Sequence, residues 1–317
     1  MTDSMSIFLA GEIKGVLIPV LRREEELEEI RLRIGKPLLV KRHAGEAFVT
    51  KEGILTTNRK EAYIVEERTL KENLQRLCKD SLFAYEDELK QGYISIPGGH
   101  RVGLTGQIVQ NEDGSVRTMK YINGMNIRIS HEIKGVADKV LPYLYENGRV
   151  KNTLLISPPG AGKTTMLRDI VRQVSDGNTY GKGICVGVVD ERSEIAGCYR
   201  GIAQNDVGIR TDVLDACPKV YGMMMLLRSM APSMIAIDEL GGAEDVQALK
   251  KASACGAGLL ATIHGEDVED LRKKPYMVEL LDMGLFSCYL VLKKFASGPG
   301  VKAVYGRNFE ICYESSE

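Results

Sequence analysis

The pattern of apolar and polar positions changes near residue 150. Beyond that point, residues 153–156, 184–189, 234–237 and 258–263 are nearly continuous apolar runs, and segments of helical length separate them. Strands that are apolar throughout are buried on both faces, as in a parallel sheet covered by helices. The C-terminal half is therefore predicted to be an α/β domain with a mostly parallel sheet flanked by helices.

The N-terminal half predicts shorter elements of both kinds. Residues 30–34 alternate apolar and basic side chains before a turn, which is typical of a strand with one buried face. The charged residues 23–29 predict a solvated helix or the end of one. The other predicted strands are 38–40, 47–49, 93–96, 101–109, 115–119 and 126–129, and the other predicted helices are 59–79 and 81–90.

These patterns indicate two domains. A chain of 317 residues is also long for a single core. We predict an α+β domain over residues 1–135 and the α/β domain over residues 151–317. Residues 136–150 are predicted to be a linker or hinge, with a helix near 137–145.

Composition narrows the possible functions. The 42 basic and 43 acidic residues nearly cancel, so no overall charge attracts nucleic acid or a membrane surface. The seven cysteines are scattered without a CxxC pair, so their spacing predicts no zinc site. No apolar run reaches about 18 residues, the length of a membrane-spanning helix. We expect a cytoplasmic protein without a transmembrane segment of its own, and attachment to a membrane complex stays open.

A glycine-rich loop follows the first apolar run of the C-terminal half. Its glycines allow backbone N–H groups to point at phosphate oxygens, and the helix that follows adds its N-terminal dipole. Lys163 is expected to reach the β- and γ-phosphates, and the Thr164 hydroxyl to ligate Mg²⁺. The sequence therefore predicts binding of ATP and Mg²⁺. The predicted nucleotide-binding residues are Ser157, which replaces the usual first glycine of the motif, Pro158, Pro159, Gly160, Ala161, Gly162, Lys163, Thr164 and Thr165.

Two adjacent acids, Asp238 and Glu239, directly follow the third apolar run, residues 234–237. Ligands of open α/β sheets bind at the carboxyl ends of the strands. We expect Asp238 to accept a hydrogen bond from Thr164 or from a water on Mg²⁺, and Glu239 to polarise the attacking water. An adjacent pair of acids favours hydrolysis over phosphoryl transfer to a small molecule.

Polar residues also follow the other two runs. Residues 190–194 place three carboxylates and one arginine after the second run, and His264 ends the fourth. If the four strands are neighbours, all these groups meet at one phosphate site. A lone histidine is as readily structural as catalytic, so both interpretations of His264 remain.

The order of these motifs resembles that of the secretion ATPases, the hexameric motors of type II and type IV secretion and of pilus extension and retraction. That family has a Walker A loop, an Asp box, a Walker B strand and a His box, which correspond here to residues 157–165, 190–194, 234–239 and 256–264. The resemblance implies a RecA-like P-loop ATPase core with an N-terminal domain, working as a homo-oligomer, a hexamer.

The same resemblance assigns further site residues. It places Glu194 and His264 in the catalytic site beside Glu239. It also implies arginines that reach the γ-phosphate across a domain or subunit boundary, for which the candidates are Arg101, Arg128 and Arg228.

Residues 92–103, 126–129, 157–160 and 189–197 resemble, more narrowly, the stage III sporulation protein AA family. This resemblance implies an ATPase of the mother-cell cytoplasm of spore-forming bacteria, attached peripherally to a membrane complex. Its implied partners are the membrane-bound proteins of a channel that joins mother cell and forespore.

Two other functions stay open. One is a nucleic-acid-stimulated P-loop translocase, although the balanced charge and the lack of an aromatic and basic surface predict no stable nucleic-acid binding. The other is a nucleotide-binding scaffold that assembles a complex with little hydrolysis.

Overall fold

The computed structural model describes residues 8–23, 27–78, 85, 89–90, 92–296 and 298–316. The chain divides into two compact units, Met1–His131 and Glu132–Glu317. Residues 136–150, for which the sequence suggested a linker, lie within the second unit. Among the described helices, none combines the length and apolar character that crossing a bilayer requires.

The first unit contains an antiparallel sheet. Its strands are β1 (Leu27–Arg33), β2 (Leu39–Arg42), β3 (Gly45–Val49), β4 (Leu55–Thr56), β5 (Tyr93–Ile96), β6 (His100–Gln110) and β7 (Val116–Arg128). They are arranged in the order β4-β3-β2-β1-β7-β6-β5. In β1, Ile30 and Leu32 are buried and Arg33 is exposed, so the two-residue alternation gives the sheet one buried face as predicted.

Two helices complete the core of this unit. They are α1 (Gly11–Arg23) and α2 (Glu67–Leu77), which pack against each other. Ile13 and Leu17 of α1 and Leu70 of α2 lie in one buried cluster with Ile30 and Ile127 of the sheet. The amphipathic pattern of both helices thus covers the apolar face of the strands.

Several boundaries predicted for this unit are wrong. The helix predicted over 59–79 is a 3₁₀ turn, Arg59–Glu61, followed by α2, because Ile64 instead forms a bridge with Pro37 and is 48% exposed. The strands predicted at 115–119 and 126–129 are one strand, β7. Of the charged residues 23–29, Arg23 ends α1 and 27–29 are the first residues of β1, so the helix end predicted there is partly strand. Residues 24–26 and most of the helix predicted over 81–90 lie outside the described residues.

His100, the first residue of β6, is a buried histidine with 3% of its surface exposed. Its Nδ1 accepts a hydrogen bond from the backbone N–H of Ser130 at 3.0 Å. Burial lowers the pKa of His100 from 6.5 to about 4, and the neighbouring His131 contributes in the same direction.

We expect acid to destabilise the protein through His100. The unfolded chain binds this proton near pH 6.5 and the folded chain only near pH 4, so the free energy of unfolding falls as the pH falls through that window. The total loss is about 3 kcal/mol. Chemical unfolding of wild type and His100→Asn at pH 7 and pH 4.5 measures it, because asparagine keeps an acceptor but does not titrate. His43→Asn, whose ring is 86% exposed, should behave as wild type. An unchanged pH dependence in His100→Asn would contradict the assignment.

The second unit is an α/β structure. Its strands are β8 (Tyr145–Glu146), β9 (Arg149–Val150), β10 (Thr153–Ser157), β11 (Gly177–Asn178), β12 (Gly181–Lys182), β13 (Val186–Asp190), β14 (Thr211–Asp215), β15 (Met234–Ile237), β16 (Gly258–His264), β17 (Cys288–Phe295), β18 (Gly298–Tyr305) and β19 (Ile311–Glu314). Its helices are α3 (Leu141–Leu144), α4 (Lys163–Asp176), α5 (Lys219–Ser229), α6 (Ala243–Ala254), α7 (Val268–Arg272) and α8 (Pro275–Asp282).

The main sheet of this unit has the order β14-β13-β15-β16-β10-β17-β18-β19. The strands from β14 to β17 are parallel, and β18 and β19 are antiparallel. The four apolar runs of the sequence are β10, β13, β15 and β16, which are neighbours. The predicted mostly parallel sheet is confirmed.

Helices cover both faces of this sheet. On β10, Leu155 belongs to a buried cluster with Leu167 and Ile170 of α4, whereas Leu154 and Ile156 belong to a second cluster with residues of α5, α6 and α8. Because successive side chains of a strand point to opposite faces of the sheet, each continuous apolar run contributes buried side chains to the cores on both faces.

The segment before β10 contains a shorter helix than predicted. The helix expected near 137–145 is a turn followed by α3. Asp169 of α4 holds this turn, since its buried carboxylate accepts a hydrogen bond from the N–H of Ala137 at 2.9 Å.

Candidate functional site

The phosphate-binding loop joins β10 to α4. Gly160 and Gly162 adopt left-handed φ values of 75° and 82°, which residues with a Cβ rarely take. A Cβ on Gly162 would also lie 2.9 Å from the Cβ of Pro299. The Ser157 side chain is buried and its hydroxyl donates to the carbonyl of Pro158 at 2.9 Å. Serine at the usual first glycine position is thus accommodated inside the turn.

Lys163 and Thr164 are the first two residues of α4, and their side chains contact Asp238 and Glu239, the two acids that follow β15. The hydroxyl of Thr164 donates to Oδ2 of Asp238 at 2.8 Å. The ammonium of Lys163 lies 3.4 Å from Oδ1 of Asp238 and 3.9 Å from Oε2 of Glu239. A hydroxyl and a carboxylate side by side are oxygen ligands of the kind that Mg²⁺ takes together with phosphates and water, so the residues fit a bound Mg²⁺.

The carboxylate of Glu239 is surrounded by basic groups. Its Oε2 accepts a hydrogen bond from Arg192 at 3.2 Å, and its Oε1 lies 3.2 Å from Nε2 of His264. The side chain of Glu239 is 31% exposed, so water reaches it. Its backbone has a φ of 59°, a left-handed conformation that is uncommon for a residue with a side chain and tends to occur at functional sites.

The loop after β13 is held by Asp190. Its carboxylate accepts hydrogen bonds from the backbone N–H groups of Glu194, Ile195 and Ala196 at 2.8 to 2.9 Å. Burial raises the pKa of Asp190, and the three N–H donors lower it by less. Asp190 therefore shapes the loop, and the exposed Glu194 lines the same small cleft as Asp238 and Glu239.

The three candidate arginines lie on β6, β7 and α5. Arg101 and Arg128 belong to the first unit, where they stand directly opposite each other on β6 and β7. Arg101 stacks on the ring of Tyr93 at 4.9 Å, and Arg128 lies 3.8 Å from Glu29. Arg228 is exposed in the last turn of α5, at the opposite end of that helix from Lys219. A role for Arg228 at a nucleotide site stays a prediction.

The sequence model of the family described as "Sporulation stage III, protein AA" matches residues 2–311. The chain belongs to the stage III sporulation protein AA family. The curated protein "Stage III sporulation protein AA" of Bacillus subtilis (strain 168) is 42% identical over 284 residues, which cover 89% of this chain and 88% of the relative.

Solved structures of secretion ATPases share the fold of this family member. The pilus retraction motor PilT with bound ADP superposes with a TM-score of 0.62 at 15% identity, covering 95% of this chain and 83% of the other. The ATPase DotB of Legionella pneumophila gives a TM-score of 0.59 at 14% identity, with 94% and 82% covered. The predicted RecA-like fold is confirmed.

The site contains two residues that the sequence pattern did not identify as functional, Thr262 and Lys219, and a third, Arg192, that it placed only among the polar residues after the second apolar run. Arg192 binds the Glu239 carboxylate. Thr262 is fully buried in β16 and bonds to Asp238, and Lys219 opens α5 and bonds to the backbone of Glu239. A hydroxyl inside an apolar run and a lysine as the first residue of a helix are weak signals. The contact of Thr262 with Asp238 becomes evident only when β15 and β16 are known to be neighbouring strands.

Proposed function

We propose that this chain hydrolyses ATP with Mg²⁺ at the carboxyl edge of its parallel sheet. The proposal rests on the contact between the phosphate-binding loop and the two acids after β15. The hydroxyl of Thr164 lies 2.8 Å from the carboxylate of Asp238, and the ammonium of Lys163 lies within 4 Å of the carboxylates of both Asp238 and Glu239. A P-loop lysine and hydroxyl beside a strand-end pair of acids is the arrangement that ATP hydrolysis requires.

Each residue has a separate task in this proposal. The N–H groups of the loop at Gly160 and Gly162 bind phosphate oxygens, and Lys163 neutralises the β- and γ-phosphates. Thr164 and Asp238 hold Mg²⁺, which when bound draws negative charge from the phosphate oxygens. Glu239 orients the attacking water and accepts its proton, and His264 and Arg192 fix the direction of the Glu239 carboxylate.

We further propose that the protein is a motor that works as a hexameric ring. Family membership and the fold shared with a pilus retraction motor support this. In the proposal the ring lies in the mother-cell cytoplasm, attaches peripherally to the membrane-bound proteins of a sporulation channel, and energises that channel. Arg101 and Arg128 then supply positive charge to the γ-phosphate from the N-terminal unit.

Assembly predicts that the specific activity depends on protein concentration. We expect the ATPase rate per chain to rise with concentration, and Arg101→Ala to remove most of that activity, because the arginine completes the site. Phosphate release over a concentration series, with the exposed Arg117→Ala on β7 as control, measures both effects. A flat specific activity that Arg101→Ala leaves untouched would contradict the ring-completed site.

A further inference from the structure

Both ends of the Glu239 backbone are bound by side chains from other elements. The N–H of Glu239 donates to Oγ1 of Thr262 at 2.8 Å. Its carbonyl accepts a hydrogen bond from Nζ of Lys219 at 2.9 Å. These two bonds lie on either side of the φ of 59° that directs the Glu239 side chain. A left-handed residue with a Cβ persists where its surroundings impose that conformation.

Thr262 connects the two acids of the site. Its hydroxyl accepts from the N–H of Glu239 and donates to Oδ1 of Asp238 at 2.5 Å. Its backbone carbonyl accepts from the N–H of Leu240 at 2.7 Å. The hydroxyl is fully buried, so removing it leaves an acceptor and a donor in the interior without this partner. Residues 238–240 are thereby fixed to the neighbouring strand β16.

Lys219 has an unusual position for a largely buried cation. It is the first residue of α5, where the helix dipole disfavours positive charge, and its side chain is only 14% exposed. Its ammonium lies 2.8 Å from Glu191 and 4.0 Å from Asp245 as well as on the Glu239 carbonyl. The lysine thus joins the loop after β13 to the backbone of Glu239.

We propose that Lys219 and Thr262 are positioning residues that hold Glu239 in its left-handed conformation and so aim its carboxylate at the attacking water. The inference rests on the proposed ATP hydrolysis. Both residues act on the peptide groups of Glu239 and on Asp238. Loss of either bond lets the backbone relax and turns the carboxylate away, and a displacement of about 1 Å reduces rates on the order of 100-fold.

The first test uses a pair of variants at position 262. Thr262→Val keeps the shape and removes the hydroxyl, and Thr262→Ser keeps the hydroxyl. We expect kcat for ATP to fall about 10- to 100-fold in Thr262→Val, with KM close to wild type and a melting temperature lower by only a few degrees. We expect Thr262→Ser to retain most of the activity. A Thr262→Val enzyme with wild-type kcat, or a Thr262→Ser enzyme as impaired as Thr262→Val, would overturn the proposal.

The second test uses two lysines of equal burial. Lys219→Met and Lys250→Met each remove an ammonium that pairs with a carboxylate, and the side chains are 14% and 15% exposed. Lys250 of α6 pairs with Glu279 of α8. We expect a lower kcat with unchanged ATP binding in Lys219→Met, and wild-type kcat in Lys250→Met. Equal effects in both variants would indicate general destabilisation and refute the positioning role.

The two proposals fail in different ways. Glu239→Gln is measured in the same assay. If that variant turns over ATP as wild type does, the assignment of Glu239 fails, and the positioning role fails with it. If Glu239→Gln is inactive while Thr262→Val and Lys219→Met have wild-type kcat, only the positioning role is refuted.

Discussion

Replacing Glu239 with glutamine is expected to stop ATP turnover and to leave ATP binding intact. The amide has the size of the carboxylate and still accepts a hydrogen bond from Arg192, so the cleft keeps its shape. It does not accept a proton from water at neutral pH. Because a positioned general base contributes about 100-fold or more to a rate, we expect kcat to fall by at least about that factor.

The measurement is phosphate release beside equilibrium binding of a fluorescent ATP analogue. Glu146→Gln makes the same chemical change at an exposed position on β8 and should match wild type. If Glu239→Gln hydrolyses ATP at the wild-type rate, Glu239 is not the base and the proposed division of roles is wrong.

Replacing Lys163 with alanine is expected to weaken nucleotide binding strongly and to abolish turnover. The Lys163 side chain is 11% exposed, and its ammonium lies 3.4 Å from the carboxylate of Asp238 and 3.9 Å from that of Glu239. Without it these two acids face the phosphates uncompensated. The truncation of a buried charge partner costs about 3 kcal/mol, which corresponds to about 100-fold in affinity.

The affinity of the Lys163→Ala variant is measured by titration with the same ATP analogue in the presence of Mg²⁺. The exposed Lys182 on β12, at the far end of α4, provides the control Lys182→Ala. Binding by Lys163→Ala that equals that of Lys182→Ala would show that the nucleotide binds elsewhere.

The sequence predicted the parts of the site that depend on local pattern. The loop from Ser157 to Thr165 has a fixed spacing, and the apolar runs before it and before Asp238 are strands buried on both faces. In a parallel sheet the polar residues after such strands share one edge. The meeting of Lys163, Asp238 and His264 was predicted on the condition that the four strands are neighbours, and the strand order β13-β15-β16-β10 makes them neighbours.

The residues that escaped prediction act over long sequence separations. Thr262 reads as one more member of an apolar strand, and only the pairing of β15 with β16 brings its hydroxyl to Asp238 and Glu239. In the sequence, Lys219 has the pattern of a surface lysine. Only the structure shows that its ammonium, at the first residue of α5, donates to the carbonyl of Glu239. Tertiary contacts of this kind are not encoded in a local window.

The same reason explains the errors in the N-terminal half. Ile64 fits the helical spacing with Leu70 and Leu74, yet it pairs with Pro37 and ends 48% exposed. Tertiary pairing overrides local periodicity there, as it does in the short α3.

An ATPase site at the carboxyl edge of the parallel sheet is tested most directly by measuring ATP binding and ATP hydrolysis on the same samples of wild type, Lys163→Ala and Glu239→Gln. Wild type is expected to bind and hydrolyse ATP, Glu239→Gln to bind ATP without hydrolysing it, and Lys163→Ala to bind ATP far more weakly and not to hydrolyse it. Hydrolysis at the wild-type rate in both variants would contradict an ATPase site at this edge of the sheet.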